Sequence, residues 1–339
     1  GLNSSFEKRT GGDLHFVNGK GDAEHRFFEG NRSTRLSTQF SLQHQFDEQT
    51  VLNIRNSLSY FNREITVPDY LFDGTQKGTF SELSLSRQQA QTEWVAGLNL
   101  WTDQFKENVA TLVPLRNYGQ TTVGAFIQNN THAASWLEIE AGLRSDYIVD
   151  YGVVILPRLS ALFKISEKFN SRIGGGFGYK TPTIFTEESE RIQYQGVLPI
   201  SAAANKLEKS YGLNWDVNYR TLLFNEQVSL SINHLIFYTF LNHPLTLITE
   251  STGLYRFDNL SGHMDSKGME TNVKLSYQDF KLFIGYSLTD AKIHSDGQLR
   301  QQPLTAKHRL NNVLMYEVED QWKLGAEAYY YGQQLLSDG

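Results

Sequence analysis

Leu137-Glu138-Ile139-Glu140-Ala141-Gly142-Leu143-Arg144-Ser145-Asp146 reads with period two: Leu137, Ile139, Ala141 and Leu143 share one face, and Glu138, Glu140, Gly142, Arg144 and Asp146 share the other. Successive side chains of an extended strand point to opposite sides, so this is a strand with one apolar face and charges along the other. The same pattern extends in both directions. Leu36, Thr38, Phe40 and Leu42 oppose Ser37, Gln39, Ser41 and Gln43, and after Asp47-Glu48-Gln49 a second strand sets Leu52, Ile54, Leu58 and Tyr60 against Asn53, Arg55, Ser57 and Ser59. Further on, Leu159, Ala161, Phe163 and Ile165 alternate with Arg158, Ser160 and Lys164, and Tyr211, Leu213, Trp215, Val217 and Tyr219 alternate with Ser210, Gly212, Asn214, Asp216 and Asn218. Met269 to Tyr277, Leu282 to Leu288 and Trp322 to Tyr330 repeat it. With a template of ~10 residues per strand, the chain holds about fourteen strands.

The connections have a rhythm of their own. Short ones are expected at 47–49, 88–92, 131–135, 166–170, 221–226 and 317–321, and long ones at 62–79, 103–119, 180–208, 240–266 and 291–306. Aromatic residues mark strand ends, among them Phe46, Tyr60, Trp94, Trp136, Tyr219, Tyr277, Tyr316 and Trp322. A soluble sandwich also alternates, with its apolar faces packed together. Strand number, one trimmed and one elaborate end, and rings placed at strand ends favour a membrane barrel with short periplasmic turns and long external loops.

Composition agrees. The 339 residues carry 31 Lys plus Arg against 37 Asp plus Glu, a net charge of −6, which offers no footprint for nucleic acid. There are 17 Tyr, 21 Phe and 5 Trp, yet hydrophobic residues reach only 40%, so the rings serve surfaces as well as a core. With no Cys, disulfides, thiolate catalysis and Cys-ligated metals are excluded. Apolar runs such as Val109 to Leu115 fall far below the ~18 residues of a membrane helix, a limit that does not apply to strands. Residues 1–30 contain no apolar signal-peptide core, so the chain reads as a mature or excised start.

Sites for chemistry are sparse. Gly174-Gly175-Gly176-Phe177-Gly178-Tyr179-Lys180-Thr181 is nearest to a phosphate loop, but Tyr179 separates glycine from lysine and no helix pattern follows; a crowded wall or strand bend explains the glycines better. The nine His show no metal-ligand spacing, His234 and His308 included, and the acids Glu187, Glu188 and Glu190 read as a solvated loop. No nucleophile elbow occurs. The expectation is no catalytic residue, no metal and no cofactor.

Three segments add a resemblance: Gly124-Ala125-Phe126-Ile127-Gln128-Asn129 leading to Gly142-Leu143-Arg144-Ser145-Asp146-Tyr147; Pro157-Arg158-Leu159 leading to Gly176-Phe177-Gly178-Tyr179-Lys180-Thr181-Pro182-Thr183; and Leu207-Glu208-Lys209-Ser210-Tyr211-Gly212. Gly268-Met269-Glu270 and Pro303-Leu304-Thr305-Ala306-Lys307-His308-Arg309-Leu310-Asn311 follow in order. Together they resemble the barrel of a TonB-dependent outer-membrane receptor, with Gly212 standing where that family usually has Glu. The resemblance runs from about Arg35 onward and covers barrel only. No plug domain, TonB box or aromatic-ended last strand is recognised, so the whole of 1–339 reads as part of one receptor barrel domain of about 22 strands, an internal piece or a chain whose remaining parts are cut off or supplied separately.

The resemblance implies a location in the outer membrane of a Gram-negative bacterium, contact with its lipid, energy from a TonB-ExbB-ExbD system acting through a plug, and import of a small metal chelate, a ferric siderophore first. Cobalamin, haem and glycans are alternatives within the family. A passive barrel or a soluble β-rich binding module are alternatives outside it. The long loops offer Arg63, Tyr70 and Phe72, Arg116 and Tyr118, Tyr179, Glu187 and Tyr194, and His243 and Tyr255 as chelate-binding candidates, through stacking and charge-assisted hydrogen bonds. Packing of the loops against one another is the competing role for each. The alternation also points Ile139 toward lipid, where arginine at midplane depth would cost ~2–4 kcal/mol.

Overall fold

The computed structural model describes residues 1–109, 113–318 and 321–336. Strands β1 (Leu2–Gly12), β2 (Phe28–Gln45), β3 (Thr50–Val67), β4 (Tyr70–Gln89), β5 (Thr92–Glu107) and β6 (Tyr118–Ala134) are followed by β7 (Leu137–Ile148), β8 (Gly152–Lys164), β9 (Phe169–Lys180), β10 (Glu208–Leu223) and β11 (Val228–Asn242). Then come β12 (Leu245–Thr249), β13 (Tyr255–Asn259), β14 (Gly262–Tyr277), β15 (Phe280–Ser295), β16 (Gln298–Gln301), β17 (His308–Val318) and β18 (Trp322–Tyr331). Two short helices, α1 (Leu14–Val17) and α2 (Glu187–Arg191), lie in connections. Sixteen strands form one antiparallel sheet in the order β1 to β11, β14, β15, β17, β18, with β16 added against β15, while β12 and β13 form a separate hairpin. No helix of the described residues is long and apolar enough to cross a membrane.

The four strands beyond the expected fourteen have identifiable reasons. β1 carries only Leu2 and Phe6 as apolar residues, so periodicity is silent, yet it pairs with β2 over its whole length. β12, β13 and β16 lie inside segments read as loops. Two connections also differ. Residues 62–79 are not a loop: β3 and β4 continue in register to Val67 and Tyr70 and turn only at 68–69, where Asp69 has φ +64°. The turn at 149–151, with Asp150 at φ +71°, is short although it lies at the elaborate end.

Cross-strand register shows how the two faces are used. Leu143 stands opposite Ile127 and Pro157, and Leu213 opposite Tyr238, all on the apolar face. Among the described residues no second layer covers this face: Leu213 is 60% exposed, and Phe40, Leu98, Leu159, Ile173 and Phe177 are exposed on other strands of it. A sandwich buries such a face; a barrel turns it to lipid. Rings collect on it at the short-turn rim, where Phe46, Trp94, Trp136 and Trp322 are exposed and Tyr316 packs on Phe280 and Trp322 with centroids 4.6 and 5.2 Å apart. The opposite, concave face is polar, with bonds such as Asn218 Nδ2 to Asp216 Oδ1 at 2.6 Å and Asn233 Nδ2 to Asn218 Oδ1 at 2.8 Å.

Among the described residues the main buried apolar cluster lies not between sheet layers but under the long connections: Ile65, Phe72, Phe105, Ile184, Tyr194, Val197 and Phe257. Glycine has one clear packing role in the wall. A Cβ on Gly175 would meet the Gly212 carbonyl oxygen at 2.7 Å and Leu213 Cδ2 at 2.6 Å, so the Gly174–Gly176 run lets β9 and β10 approach closely.

Ile139 stands two residues from the start of β7, near the short-turn rim, so the midplane position on its face is Leu143. Leu143→Arg is expected to cost ~2–4 kcal/mol and Ile139→Arg only ~0–1 kcal/mol. Glu140→Gln, on the concave face and 3.6 Å from Arg158, should stay within about 0.5 kcal/mol of wild type. Equilibrium unfolding of the intact protein in lipid vesicles measures all three.

Candidate functional site

A cavity of about 870 Å³ opens at the long-connection end of the concave face. The strands β2 to β9 form its wall and the 181–207 segment roofs it. That segment is shaped by its own polar residues. Thr186 caps α2 and Ser189 answers it in a capping box, while Ser189 Oγ also donates to the Ile184 carbonyl. The chain then passes through left-handed backbone at Gln193 (φ +50°) and Tyr194 (φ +62°).

What holds this roof is a buried ion pair. Arg116 is 1% exposed and Glu107 5%. Arg116 donates its backbone N–H and Nε to Glu107 Oε2 at 2.9 and 3.1 Å, and Nη2 to Glu107 Oε1. Its Nη1 donates to the Tyr194 carbonyl, its Nη2 reaches the Tyr70 hydroxyl at 3.4 Å, and its Cζ lies 5.3 Å from the Phe72 ring centre. One guanidinium thus ties the end of β5, the 108–117 connection, the β3–β4 tip and the roof. Burial pushes the Tyr194 phenol up to about 12, so it stays protonated at any physiological pH.

Inside, the cavity joins aromatic walls to paired charges. Phe61, Trp101, Phe105, Tyr118 and Phe185 contribute ring surface. Arg63 meets Glu190 at 2.7 Å, and Arg35 lies 4.9 Å from the Phe61 ring centre. Asp103 accepts from Gln76 Nε2 at 2.9 Å and from the Tyr118 hydroxyl at 3.1 Å. Deeper, Asp146 accepts two bonds from Arg144 Nε, at 2.8 and 2.9 Å, and one from the Tyr179 hydroxyl at 2.9 Å. Tyr179 reaches this position because the β8–β9 ladder stops at Arg158 and Gly176, next to Pro157, which has no N–H to continue it. Gly124 stands over the same carboxylate: a Cβ there would collide with Asp146 Oδ1 and lie 2.5 Å from Asn99 Oδ1.

Of the ten candidates from sequence, Arg63, Phe72, Tyr118, Tyr179, Glu187 and Tyr194 line the cavity. Tyr70 and Arg116 lie behind its wall in the ion-pair network. Tyr255, in β13, donates its N–H to Gly196 O at 2.9 Å and accepts from Leu198 N at 2.7 Å, so it fastens the roof to the β12–β13 hairpin. His243 forms a turn at φ +52°, its carbonyl accepting from Asn259 Nδ2 at 2.9 Å. The acids of α2 are not merely solvated, since Glu190 pairs with Arg63 and Glu188 Oε2 accepts from Leu247 N at 3.0 Å. Trp101, Asp103, Phe105, Arg144 and Asp146 are wall residues outside the sequence-based set. Their position on the polar face of β5 and β7 was the available signal.

A single-layer antiparallel sheet with an exposed apolar face, a polar concave face and a loop-roofed cavity defines an outer-membrane receptor barrel. The family model described as TonB dependent receptor-like, beta-barrel matches residues 2–339, and the chain belongs to that family, one of transport receptors rather than enzymes. It is similar to the FrpB iron transporter from Neisseria meningitidis (F5-1 variant), with TM-score 0.73 and 14% identity over 100% of this chain and 59% of that one. It is also similar to the ferric-catecholate import receptor Fiu from E. coli K12 (0.66, 13%, 98% of this chain and 61% of that one) and to the alcaligin outer-membrane receptor FauA from Bordetella pertussis (0.66, 13%, 98% and 57%). The chain therefore spans about three fifths of those receptors. No curated protein sequence matches it significantly.

Arg116→Met leaves Glu107 buried without its counter-charge, holding only the bond from the backbone N–H of residue 116, which costs ~3–5 kcal/mol. Amide exchange at Tyr194 to Val197 is expected to accelerate at least a hundredfold in this variant, and adding Glu107→Gln should restore part of the protection. Exchange unchanged from wild type would contradict the role given to the pair.

Proposed function

We propose that the intact protein imports a ferric siderophore across the outer membrane. The observation that carries this reading is the cavity itself: about 870 Å³, at the external mouth of a polar passage, with ring surfaces and guanidinium groups side by side. A ferric chelate is compact, frequently ring-bearing and frequently anionic, so it gains from stacking on Trp101 and Phe61 and from charge-assisted bonds to Arg35 and Arg63. The volume falls within the range of small-molecule sites.

Arg63 has a second part in this reading. Its present partner Glu190 belongs to the roof, so an anionic ligand competes with Glu190 for the guanidinium and loosens one of the roof's attachments. Arg144 lies at the deeper end, held toward Asp146, and receives the chelate next as it moves inward. Passage then depends on a plug displaced by the TonB-ExbB-ExbD system, a step that rests on family membership. Cobalamin, haem and glycans are the competing cargoes.

Titration of the intact receptor with ferric hydroxamate and ferric catecholate chelates, followed by tryptophan fluorescence, tests the reading. Binding of at least one class is expected, with Trp101→Ala and Arg63→Ala each weakening it about tenfold, or ~1.4 kcal/mol. Saturable binding of haem or cobalamin with no response to either iron chelate would contradict it.

A further inference from the structure

We infer that His263, Asp265 and His294 form a divalent transition-metal site on the outer face of the sheet, apart from the cavity and independent of the cargo. His263 and Asp265 are two apart on β14 and therefore share a face; His294 on β15 is the direct cross-strand partner of His263. One ligand atom from each of the three lies within 4.8 Å of the others. His294 Nε2 is already 2.5 Å from Asp265 Oδ1. The His263 ring nitrogens bond no other described residue, so a third donor is free.

The face is identified by register. His263 and Asp265 continue the row of Met269, Val273 and Leu275, and His294 continues that of Leu288, Ile284 and Leu282, which is the apolar, lipid-directed side. The three groups sit at the long-connection end of these strands, beyond a row of rings. Tyr211 stacks on Phe240 at 4.9 Å, Phe240 on His263 at 4.6 Å, and His263 on His294 at 4.2 Å. This stack gathers both imidazoles at one place, and one ring turns out of it so that a shared ion lies in both ring planes.

The donor set selects the ion. Two imidazoles and one carboxylate suit zinc and its neighbours, and leave a position for water in tetrahedral geometry. Zinc bonds of about 2.0–2.1 Å hold ligand atoms about 3.3 Å apart, so the Asp265–His294 pair opens slightly and His263 closes in, by side-chain rotation alone. Two cations stand near. Lys292 faces Asp265 across the ladder but turns to Asp290 at 3.1 Å, and Lys267 is opposite Asp290 in register. An ion here joins β14 to β15 where the sheet leaves the membrane, bracing the strands that flank the 243–261 and 296–307 connections.

The test uses the intact receptor in detergent, stripped with a chelator and dialysed against Zn²⁺ at pH 7.5, with metal counted per folded receptor. Wild type is expected to hold one zinc more than His263→Gln, His294→Gln or Asp265→Asn, each checked for barrel folding by heat-modifiable gel migration. X-ray absorption of the zinc-loaded wild type, which needs no variant to fold, should show two imidazoles in the ion's shell. Equal zinc counts in wild type and folded variants, or a shell without imidazole, would overturn the site.

Discussion

The structure depends on one constraint: inside a bilayer every backbone N–H and C=O needs a partner within the protein, and a strand meets that need by pairing on both sides, as the strands between β1 and β18 along the main sheet do. Once the chain is committed to strands, side chains divide between two solvents at every second residue. The outward set, with Leu143, Leu213 and Phe177, meets hydrocarbon; the inward set, with Arg158, Asn214 and Asp216, meets water. Polar residues inside cost nothing because the passage is wet. The usual arrangement of a soluble protein is inverted, and apolar packing is displaced to the external end.

There the Arg116–Glu107 pair takes over as organiser. Strand pairing builds the wall but does not position the roof, whose backbone passes through left-handed residues at Gln193 and Tyr194. A guanidinium with several donors in a fixed plane suits the task, since one side chain satisfies a carboxylate and a carbonyl while its face lies on Phe72. Rings in the apolar cluster then fill the space between wall and roof. The site is thus a product of barrel and loops together: the wall contributes Trp101, Asp103 and Asp146, and the roof contributes Phe185 and Tyr194.

Most of the fold was legible in the sequence, because lipid on one side and water on the other impose a strict period of two. Legibility failed where that pressure ends. Strands β3 and β4 run beyond the membrane, where neither face must be apolar, so 62–79 resembled a loop although it is paired throughout. β1 is legible only through its partner. For the site, loop position led to Arg63, Tyr118, Tyr179 and Tyr194, but treating loops alone as binding elements left out Arg144 and Asp146, which the polar-face reading already pointed inward. His243 and Tyr255 show the opposite error, since loop residues of suitable chemistry are occupied with turns and attachments. The grouping of His263, Asp265 and His294 has no sequence signature, because strand register and not spacing brings it together.

The two-faced sheet, the roof fixed by a buried ion pair and the cavity of rings and guanidiniums together support the proposed role as an energised iron importer. Accumulation of radiolabelled iron from a ferric siderophore measures this most directly, in cells whose own siderophore receptors are deleted and which express the intact protein. Uptake that requires the protein and stops when TonB is deleted is the predicted result. No uptake from any ferric siderophore, or uptake that persists without TonB, would contradict it.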